Sequence, residues 1–175
     1  MGFDVLGPAT NGTMCELNFV TLTRGADASA REVLGMMRAL YVEDEPAFAV
    51  DDGRFPLTIE FLLAEPSRGS VIVFTEGAAR RGYAILIPYW SNEYGGTLLC
   101  VDEIFVVREY RNRGIARRFF EFLAQNRPFD PVAITLEVSP ANLRAQRLYE
   151  SLGFSRRRNA TLMRRLPGRP ASDGP

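Results

Sequence analysis

The segment VVREYRNRGIARRF, residues 106–119, combines residue types suited to binding an anion. It overlaps the end of the apolar run TLLCVDEIFVV, and a helical pattern begins near Arg113. The first turn of a helix has about four amides without a helical acceptor and carries a partial positive charge. Gly114 and Ala116 are small enough to let a phosphate approach the backbone, and the neighbouring arginines add charge. This arrangement favours a diphosphate ligand, although a solvated basic helix start would have the same composition.

Several common chemistries are excluded by what the chain lacks. It has no GxxxxGKS or GxxxxGKT sequence and no GxGxxG sequence, which argues against a P-loop nucleotidase and a dinucleotide-binding fold. It has no histidine and no lysine, so Ser-His or Cys-His pairs, histidine zinc sites and Schiff bases are excluded. Cys15 and Cys100 are too far apart for a CxxC motif, and we expect no metal.

Two carboxylates, Asp102 and Glu103, interrupt the apolar run before the arginine-rich segment. A strand that is otherwise apolar rarely carries carboxylates without a partner or a function, because burying an unpaired charge is costly. Successive strand residues face opposite sides of a sheet, so at most one of the two is expected to point directly at a given site.

The net charge of zero conceals two oppositely charged halves. Residues 1–104 hold seven Arg and fifteen Asp or Glu, a balance of −8, whereas residues 105–175 hold fourteen Arg and six acids, a balance of +8. The halves either attract each other within one fold or form a site for one anionic and one cationic ligand. No apolar run approaches the roughly 20 residues of a membrane span, and no signal peptide is visible, so we predict a cytoplasmic protein that does not bind membranes.

Hydrophobic spacing predicts the element order β α α β β β α β α β β within one domain. Helices are predicted near residues 26–44, 57–65, 113–125 and 140–153, and FSRRRN and TLMRRL are predicted to form a final hairpin. We assign residues 1–166 to this domain and residues 167–175, PGRPASDGP, to a disordered tail. Hairpins that precede the third helix indicate a mixed α/β sheet flanked by helices.

The arginine-rich segment resembles the acyl-CoA-binding motif of the GNAT acetyltransferase superfamily, R/Q-x-x-G-x-G/A, with Arg111, Gly114 and Ala116 at its defining positions. The run SPANLRAQRLYESLGF, residues 139–154, resembles the second half of the family pattern. Many members have Gly where this chain has Asn112. The stretch VDEIFVVREYRNRGIA is most similar to the branch that acetylates polyamines and small amines.

The resemblance implies a GNAT-like α/β fold, with a mixed, mostly antiparallel sheet of about seven strands, four helices, and a splay between strands 4 and 5. It also implies that acetyl-CoA is the co-substrate and that the amine attacks it directly in a ternary complex. The residues it assigns to acetyl-CoA binding are Ile104, Phe105, Val106, Val107, Arg111, Asn112, Arg113, Gly114, Ile115, Ala116, Arg117 and Asn142. Amides near Asn112 to Arg117 would hold the diphosphate, and an amide within Phe105–Val107 would stabilise the thioester oxygen.

Three residues receive catalytic roles from the resemblance. Tyr149 matches the general acid that protonates the CoA thiolate. Asp102 or Glu103 would act as the base, with Asp102 favoured; alternatively, both bind a cationic substrate while water carries the proton. The acids at residues 43–45 and 51–52 would also suit a cationic amine, although solvation explains them equally well.

We therefore predict an N-acetyltransferase acting on a small cationic amine. The alternatives are a non-catalytic acyl-CoA sensor and an acetyltransferase for a protein or peptide amine. A nucleic-acid binder using the C-terminal arginines is disfavoured by the acidic N-terminal half. A homodimer is compatible with the sequence but is not required by it.

Overall fold

The computed structural model describes residues 16–43, 51–158 and 161–164. The helices are α1 (Asp27–Glu43), α2 (Arg54–Ala64), α3 (Ile115–Asn126) and α4 (Leu143–Ser151). The strands are β1 (Leu17–Thr21), β2 (Ser70–Glu76), β3 (Ala79–Ser91), β4 (Gly96–Val106) and β5 (Ala133–Leu136). The predicted order of these nine elements and the mixed α/β class are confirmed. The proposed tail, residues 167–175, lies outside the described residues, and the single-domain assignment of residues 1–166 stays a prediction.

Within the described residues, one open sheet has the strand order β1-β2-β3-β4-β5. Neighbouring strands are antiparallel except for β4 and β5, which are parallel. The prediction of about seven strands is wrong, because this sheet has five. Residues 154–158 and 161–164, where the final hairpin was expected, form no strand. Ser155–Arg158 are all exposed and offer no apolar face that could pack on the core.

Helices cover both faces of the sheet, and each buries the face that its sequence spacing indicates. On one side, Val33, Met36 and Met37 of α1 join a core that includes α2 and alternate residues of β3 and β4. On the other side, α3 buries Ile115, Phe119, Phe120 and Leu123 against the opposite face of the sheet. The spacing of three or four residues in both sets is that of one helical stripe.

The gap between β4 and β5 is the feature of the fold that creates a site. Their pairing begins at Leu98 and Ala133 and ends at Val101 and Leu136, whereas β4 continues to Val106. In the part of the chain that the structure describes, the last five residues of β4 therefore have a strand partner on the β3 side only. The register between β3 and β4 also shifts here, since Ile85 pairs with Glu103 but Leu86 pairs with Val101, which leaves Asp102 as the extra residue of a β-bulge.

The close contact of β3 with the end of β4 depends on Gly82. This residue pairs with Val106, and a β-carbon built on it would lie 2.2 Å from the carbonyl oxygen of Phe105. A second atom, Cδ2 of Phe74, would be only 2.7 Å away. Only glycine leaves enough space here, and the close contact fixes the position of the part of β4 that has no partner on the β5 side.

Candidate active site

A cleft of about 670 Å³ opens where β4 and β5 separate. Its walls are the end of β4, the residues after β5, the turn that leads into α3, and the first half of α4. All but two of the predicted site residues line it, namely Asp102, Glu103, Ile104, Phe105, Val106, Arg111, Asn112, Gly114, Ile115, Ala116, Arg117, Asn142 and Tyr149. Val107 and Arg113 do not line this cleft.

The turn before α3 has the backbone conformation of an anion-binding loop. Asn112 and Gly114 both have positive φ, +62° and +75°, a region that glycine and asparagine enter most readily. Asparagine therefore replaces the glycine common at that position without losing the turn. The first hydrogen bond of the helix runs from the Arg118 amide to the Gly114 carbonyl oxygen, 3.0 Å, and no described side chain caps Gly114. The preceding amides of the first turn are available to a ligand.

The unpaired edge of β4 directs Val106 towards the cleft. The amide of Val107 donates to the carbonyl oxygen of Arg81 on β3 at 2.9 Å. Alternate residues of an edge strand direct their backbone groups to opposite sides, so the amides of Val106 and Ile104 face away from β3, towards the gap. The Val106 carbonyl oxygen is consistent with this, since it accepts from Arg111 Nε at 2.7 Å rather than from β3. Of the three amides predicted to bind the thioester oxygen, in residues 105–107, the Val106 amide is the one that faces the gap, and its role stays a prediction.

Arg111 is held by protein groups on three sides. Its Nη1 lies 2.7 Å from Oε2 of Glu43 on α1, and its guanidinium lies 5.2 Å from the ring centre of Phe105. With the bond to Val106, these contacts join the end of α1, the end of β4 and the turn before α3. Arg111 lines the cleft, but its phosphate-binding role stays a prediction.

Glu103 lies between two tyrosines at the cleft. Tyr41 of α1 donates its hydroxyl to Oε1 at 2.9 Å, and Tyr83 of β3 donates to Oε2 at 2.7 Å. Burial raises the pKa of Glu103, and these two hydrogen bonds oppose that rise because they stabilise the carboxylate. Burial and the adjacent carboxylate raise the pKa of both tyrosines, so both hydroxyls stay protonated and donate near neutral pH.

Asp102, the bulge residue, has different surroundings. Its side chain is exposed to the cleft. The surrounding protein still limits its hydration and raises its pKa, and Glu137, the residue directly after β5, raises it further. In the described part of the chain no donor hydrogen-bonds its carboxylate.

Comparison with known proteins identifies the family to which the chain belongs. A family profile described as "Acetyltransferase (GNAT) domain" matches residues 67–156, just over half of the 175 residues, and this range includes most of the residues that line the cleft. The chain belongs to the GNAT acetyltransferase family. It is accordingly an acyltransferase, as the resemblance predicted. No curated protein sequence matches this acetyltransferase.

Solved structures share the fold of this acetyltransferase at low sequence identity. A possible acetyltransferase from Clostridium difficile 630 has a TM-score of 0.73 and 20% identity, with 87% of this chain and 99% of that chain covered. The AAC(6')-Iy complex with the bisubstrate analogue CoA-S-monomethyl-acetylneamine has a TM-score of 0.67 and 15% identity, over 87% and 99%. The ribosomal-protein-alanine N-acetyltransferase from Brucella melitensis biovar Abortus 2308 has a TM-score of 0.65 and 17% identity, over 85% and 99%.

Helix α4 of the acetyltransferase supplies two predicted site residues. Tyr149 lines the cleft, is 8% exposed, and packs edge-on against Phe120 and Phe154 at ring-centre distances of 5.6 and 5.8 Å. Asn142 caps the helix, since its Oδ1 accepts from the amide of Ala145 at 3.1 Å, and this leaves its Nδ2 as the group that could contact a ligand.

The enzyme brings only part of the predicted acidic surface to the cleft. Asp52 pairs with Arg38 at 3.0 Å, and Asp51 accepts from the Gly53 amide, so both have local roles outside the cleft. Glu43 lines the cleft but is paired with Arg111. Asp44 and Glu45 lie outside the described residues.

Four residues of the enzyme's cleft region were missed in the sequence. Tyr41 and Tyr83 lie far from Glu103 along the chain, and nothing in their own segments indicates a carboxylate partner. Glu137 follows β5 directly, but its nearness to Asp102 depends on the strand register. Arg144 of α4 lines the cleft and donates to Asn112 Oδ1 at 3.3 Å.

Two further findings concern metal binding and membrane-spanning helices. No group of three or more His, Cys, Asp or Glu that could hold a metal ion occurs among residues 16–43, 51–158 and 161–164. The helices in these ranges also include none that is long and apolar enough to cross a membrane.

Proposed function

We propose that the enzyme transfers an acetyl group from acetyl-CoA to the primary amine of a small cationic molecule, by direct attack in a ternary complex. One observation carries the proposal: a single cleft brings together the first turn of α3, the unpaired edge of β4 and the carboxylates Asp102 and Glu103. The first two are donors for an anionic, amide-containing ligand, and the carboxylates suit a cation.

The residues of the turn and of β4 fit acetyl-CoA. Amides in the first turn of α3, from Asn112 to Arg117, would bind the diphosphate, with Arg117 and Arg144 at the rim of the same cleft adding charge. The free edge of β4 would pair with the pantetheine amides, and the Val106 amide would donate to the thioester oxygen. When bound, acetyl-CoA supplies the activated acetyl group.

Tyr149 is the proposed general acid. A tyrosine hydroxyl is protonated at neutral pH, so it can give its proton to the sulfur of the leaving thiolate. The edge-on contacts with Phe120 and Phe154 fix the position of its ring beside the cleft.

The acidic side of the cleft supports a cationic acceptor. Asp102 and Glu103 are consecutive residues of β4, and Glu137, directly after β5, lines the same cleft and influences Asp102. These three carboxylates have no described arginine as an ion-pair partner, unlike Glu43, and they favour an ammonium group over a neutral or anionic acceptor.

Mass spectrometry of the reaction products tests the proposal. We would incubate the enzyme and acetyl-CoA with spermidine, putrescine, neamine, free alanine and a peptide that begins with alanine. We expect acetylated products from spermidine, putrescine or neamine, and not from free alanine or the peptide. Acetylation of the peptide alone would favour a protein acceptor. Binding of acetyl-CoA without transfer to any amine would favour the sensor and contradict the proposal.

A further inference from the structure

The two adjacent carboxylates of β4 have opposite hydrogen-bonding environments. Both oxygens of Glu103 accept from a tyrosine hydroxyl, one from α1 and one from β3. Tyr83 is fully buried, and the Tyr41 ring packs against Phe55 at 5.0 Å, so both donors are themselves fixed by the core. The carboxylate of Glu103 therefore has one orientation, and each oxygen keeps a second lone pair for a ligand.

Asp102 has none of these constraints. It is the extra residue of the β-bulge, it is exposed to the cleft, and no donor in the described residues bonds its carboxylate. Its neighbour across the gap is another carboxylate, Glu137, because Val101 and Leu136 are the last paired residues of the two parallel strands. The Asp102 carboxylate is thus open to a proton from a molecule in the cleft, whereas the two tyrosine hydrogen bonds hold the Glu103 carboxylate in place and stabilise its ionised form.

We propose that Glu103, held by Tyr41 and Tyr83, is the fixed anion that binds the ammonium group of the acceptor, and that Asp102 is the carboxylate that takes its proton. The proposal rests on the proposed function and assigns separate roles to two residues that the sequence left as alternatives. Tyr41 and Tyr83 are then positioning residues, which act through Glu103.

The proton and the electrons balance as follows. Asp102 accepts one proton from the ammonium group, and the nitrogen lone pair forms the bond to the acetyl carbon as the bond from that carbon to sulfur breaks. The second proton lost by the nitrogen leaves to water, and Tyr149 gives its own proton to the sulfur and regains one from water. No oxidant, reductant or metal is needed.

Burial raises the pKa of both Asp102 and Glu103, and the groups that surround the two carboxylates then differ. Tyr41 from α1, Tyr83 from β3 and Asp102 from β4 itself face Glu103, and the two tyrosine hydrogen bonds lower its pKa against the effect of burial. Glu137 from the end of β5 raises the pKa of Asp102. Cys100 of β4 is also influenced by Asp102. Among the described residues, the remaining charges on this cleft are the Glu43–Arg111 pair, Arg117 and Arg144.

Steady-state kinetics between about pH 5.5 and pH 9 test the proposal, with the amine of the panel that the wild type acetylates fastest. For Glu103→Gln we expect KM for the amine to rise at least about tenfold while the acidic limb of kcat is kept. For Asp102→Asn we expect kcat to fall by about 10²–10⁴ and its acidic limb to disappear, with KM changed by less than about threefold.

The tyrosine variants test the positioning role through the pH dependence of kcat/KM, which would not shift if the tyrosines only supported the fold. Tyr41→Phe and Tyr83→Phe keep the rings and remove one hydrogen bond each, so the pKa of Glu103 rises and the acidic limb of kcat/KM moves up by about one pH unit. Tyr89→Phe, an exposed tyrosine of β3 outside the cleft, is the matched control and should leave the profile unchanged. If Tyr83→Phe fails to fold, the pH profile of Tyr41→Phe alone tests the positioning role.

Three results would overturn the proposal: loss of the kcat limb in Glu103→Gln, the same change of kcat and KM in both carboxylate variants, or unshifted profiles in both tyrosine variants. Unchanged melting temperature and acetyl-CoA affinity would show that the variants are folded. Failure of the proposed function would be recognised separately, because the wild type would then acetylate no amine of the panel. In that case this inference would be rejected as well.

Discussion

Replacing Gly114 with alanine separates the contribution of the turn before α3 to folding from its contribution to acetyl-CoA binding. Gly114 has φ +75°, and, apart from its chain neighbours, no described residue has an atom within 4 Å of the position that a β-carbon would take. The cost to stability therefore arises from the backbone alone, about 1–2 kcal/mol for an L-residue in the left-handed region. The lower entropy of the unfolded alanine chain offsets about 0.4–1 kcal/mol of this cost. We expect a net loss of about 1 kcal/mol, or a melting temperature lower by about 2–4 °C.

Acetyl-CoA binding should change much more than stability. Relaxation of residue 114 towards negative φ would turn the first amides of α3 away from the cleft. One lost hydrogen bond from an amide to a charged phosphate is worth about 1.5–3 kcal/mol, which raises Kd roughly ten- to hundredfold. Isothermal titration calorimetry with acetyl-CoA measures Kd, and thermal unfolding measures the stability of the same sample.

Gly95 provides the matched control for this experiment. It has φ +62° in the turn between β3 and β4, also with no atom within 4 Å of a built β-carbon, and it does not line the cleft. Gly95→Ala should lose a similar stability and keep the acetyl-CoA affinity of the wild type. Equal Kd values for Gly114→Ala and Gly95→Ala would refute the assignment of the diphosphate to the first turn of α3.

Three further substitutions test other parts of the site. Tyr149→Phe should lower kcat at least about tenfold and leave the Kd of acetyl-CoA within about twofold, because the ring and its packing remain; equal losses in both would contradict the acid role. Arg111→Gln removes the ion pair with Glu43 and should lower the free energy of unfolding by about 1 kcal/mol in urea titrations, and an unchanged midpoint would show that these contacts are not stabilising. Gly82→Ala places a β-carbon against the carbonyl of Phe105 and should destabilise the fold by about 1–3 kcal/mol or more; wild-type stability would mean that β3 can move away from β4.

Sequence reasoning succeeded where the signal is local. The turn and the start of α3 are encoded within six residues, from Arg111 to Ala116, because small residues and positive φ are requirements of single positions. The apolar spacing of α1 and α3 likewise identified the helix faces that are buried.

Contacts between distant segments could not be predicted in this way. Tyr41 is separated from Glu103 by 62 positions and Tyr83 by 20, and their meeting depends on how α1 packs across β3 and β4. The separate environments of Asp102 and Glu103 depend on the bulge, which is a property of strand register and not of either residue.

The segments FSRRRN and TLMRRL were predicted to form a final hairpin, and the described residues there form no strand. Arg156 instead donates to Gln146 of α4 at 2.9 Å, and Arg157 pairs with Glu93 of the turn between β3 and β4 at 3.0 Å. These side-chain contacts hold the segment against α4 and the β3–β4 turn without any backbone pairing between strands. Periodicity alone does not distinguish the two outcomes.

The last turn of α1 contacts residues of both proposed substrate sites. Tyr41 donates to Glu103, the proposed binding group for the acceptor, and two residues later Glu43 pairs with Arg111, which begins the loop proposed to bind acetyl-CoA. A ligand that displaces this turn from either direction alters the support of the other ligand's site. The affinities of the two substrates are therefore expected to depend on one another, equally in both directions, as thermodynamic linkage requires.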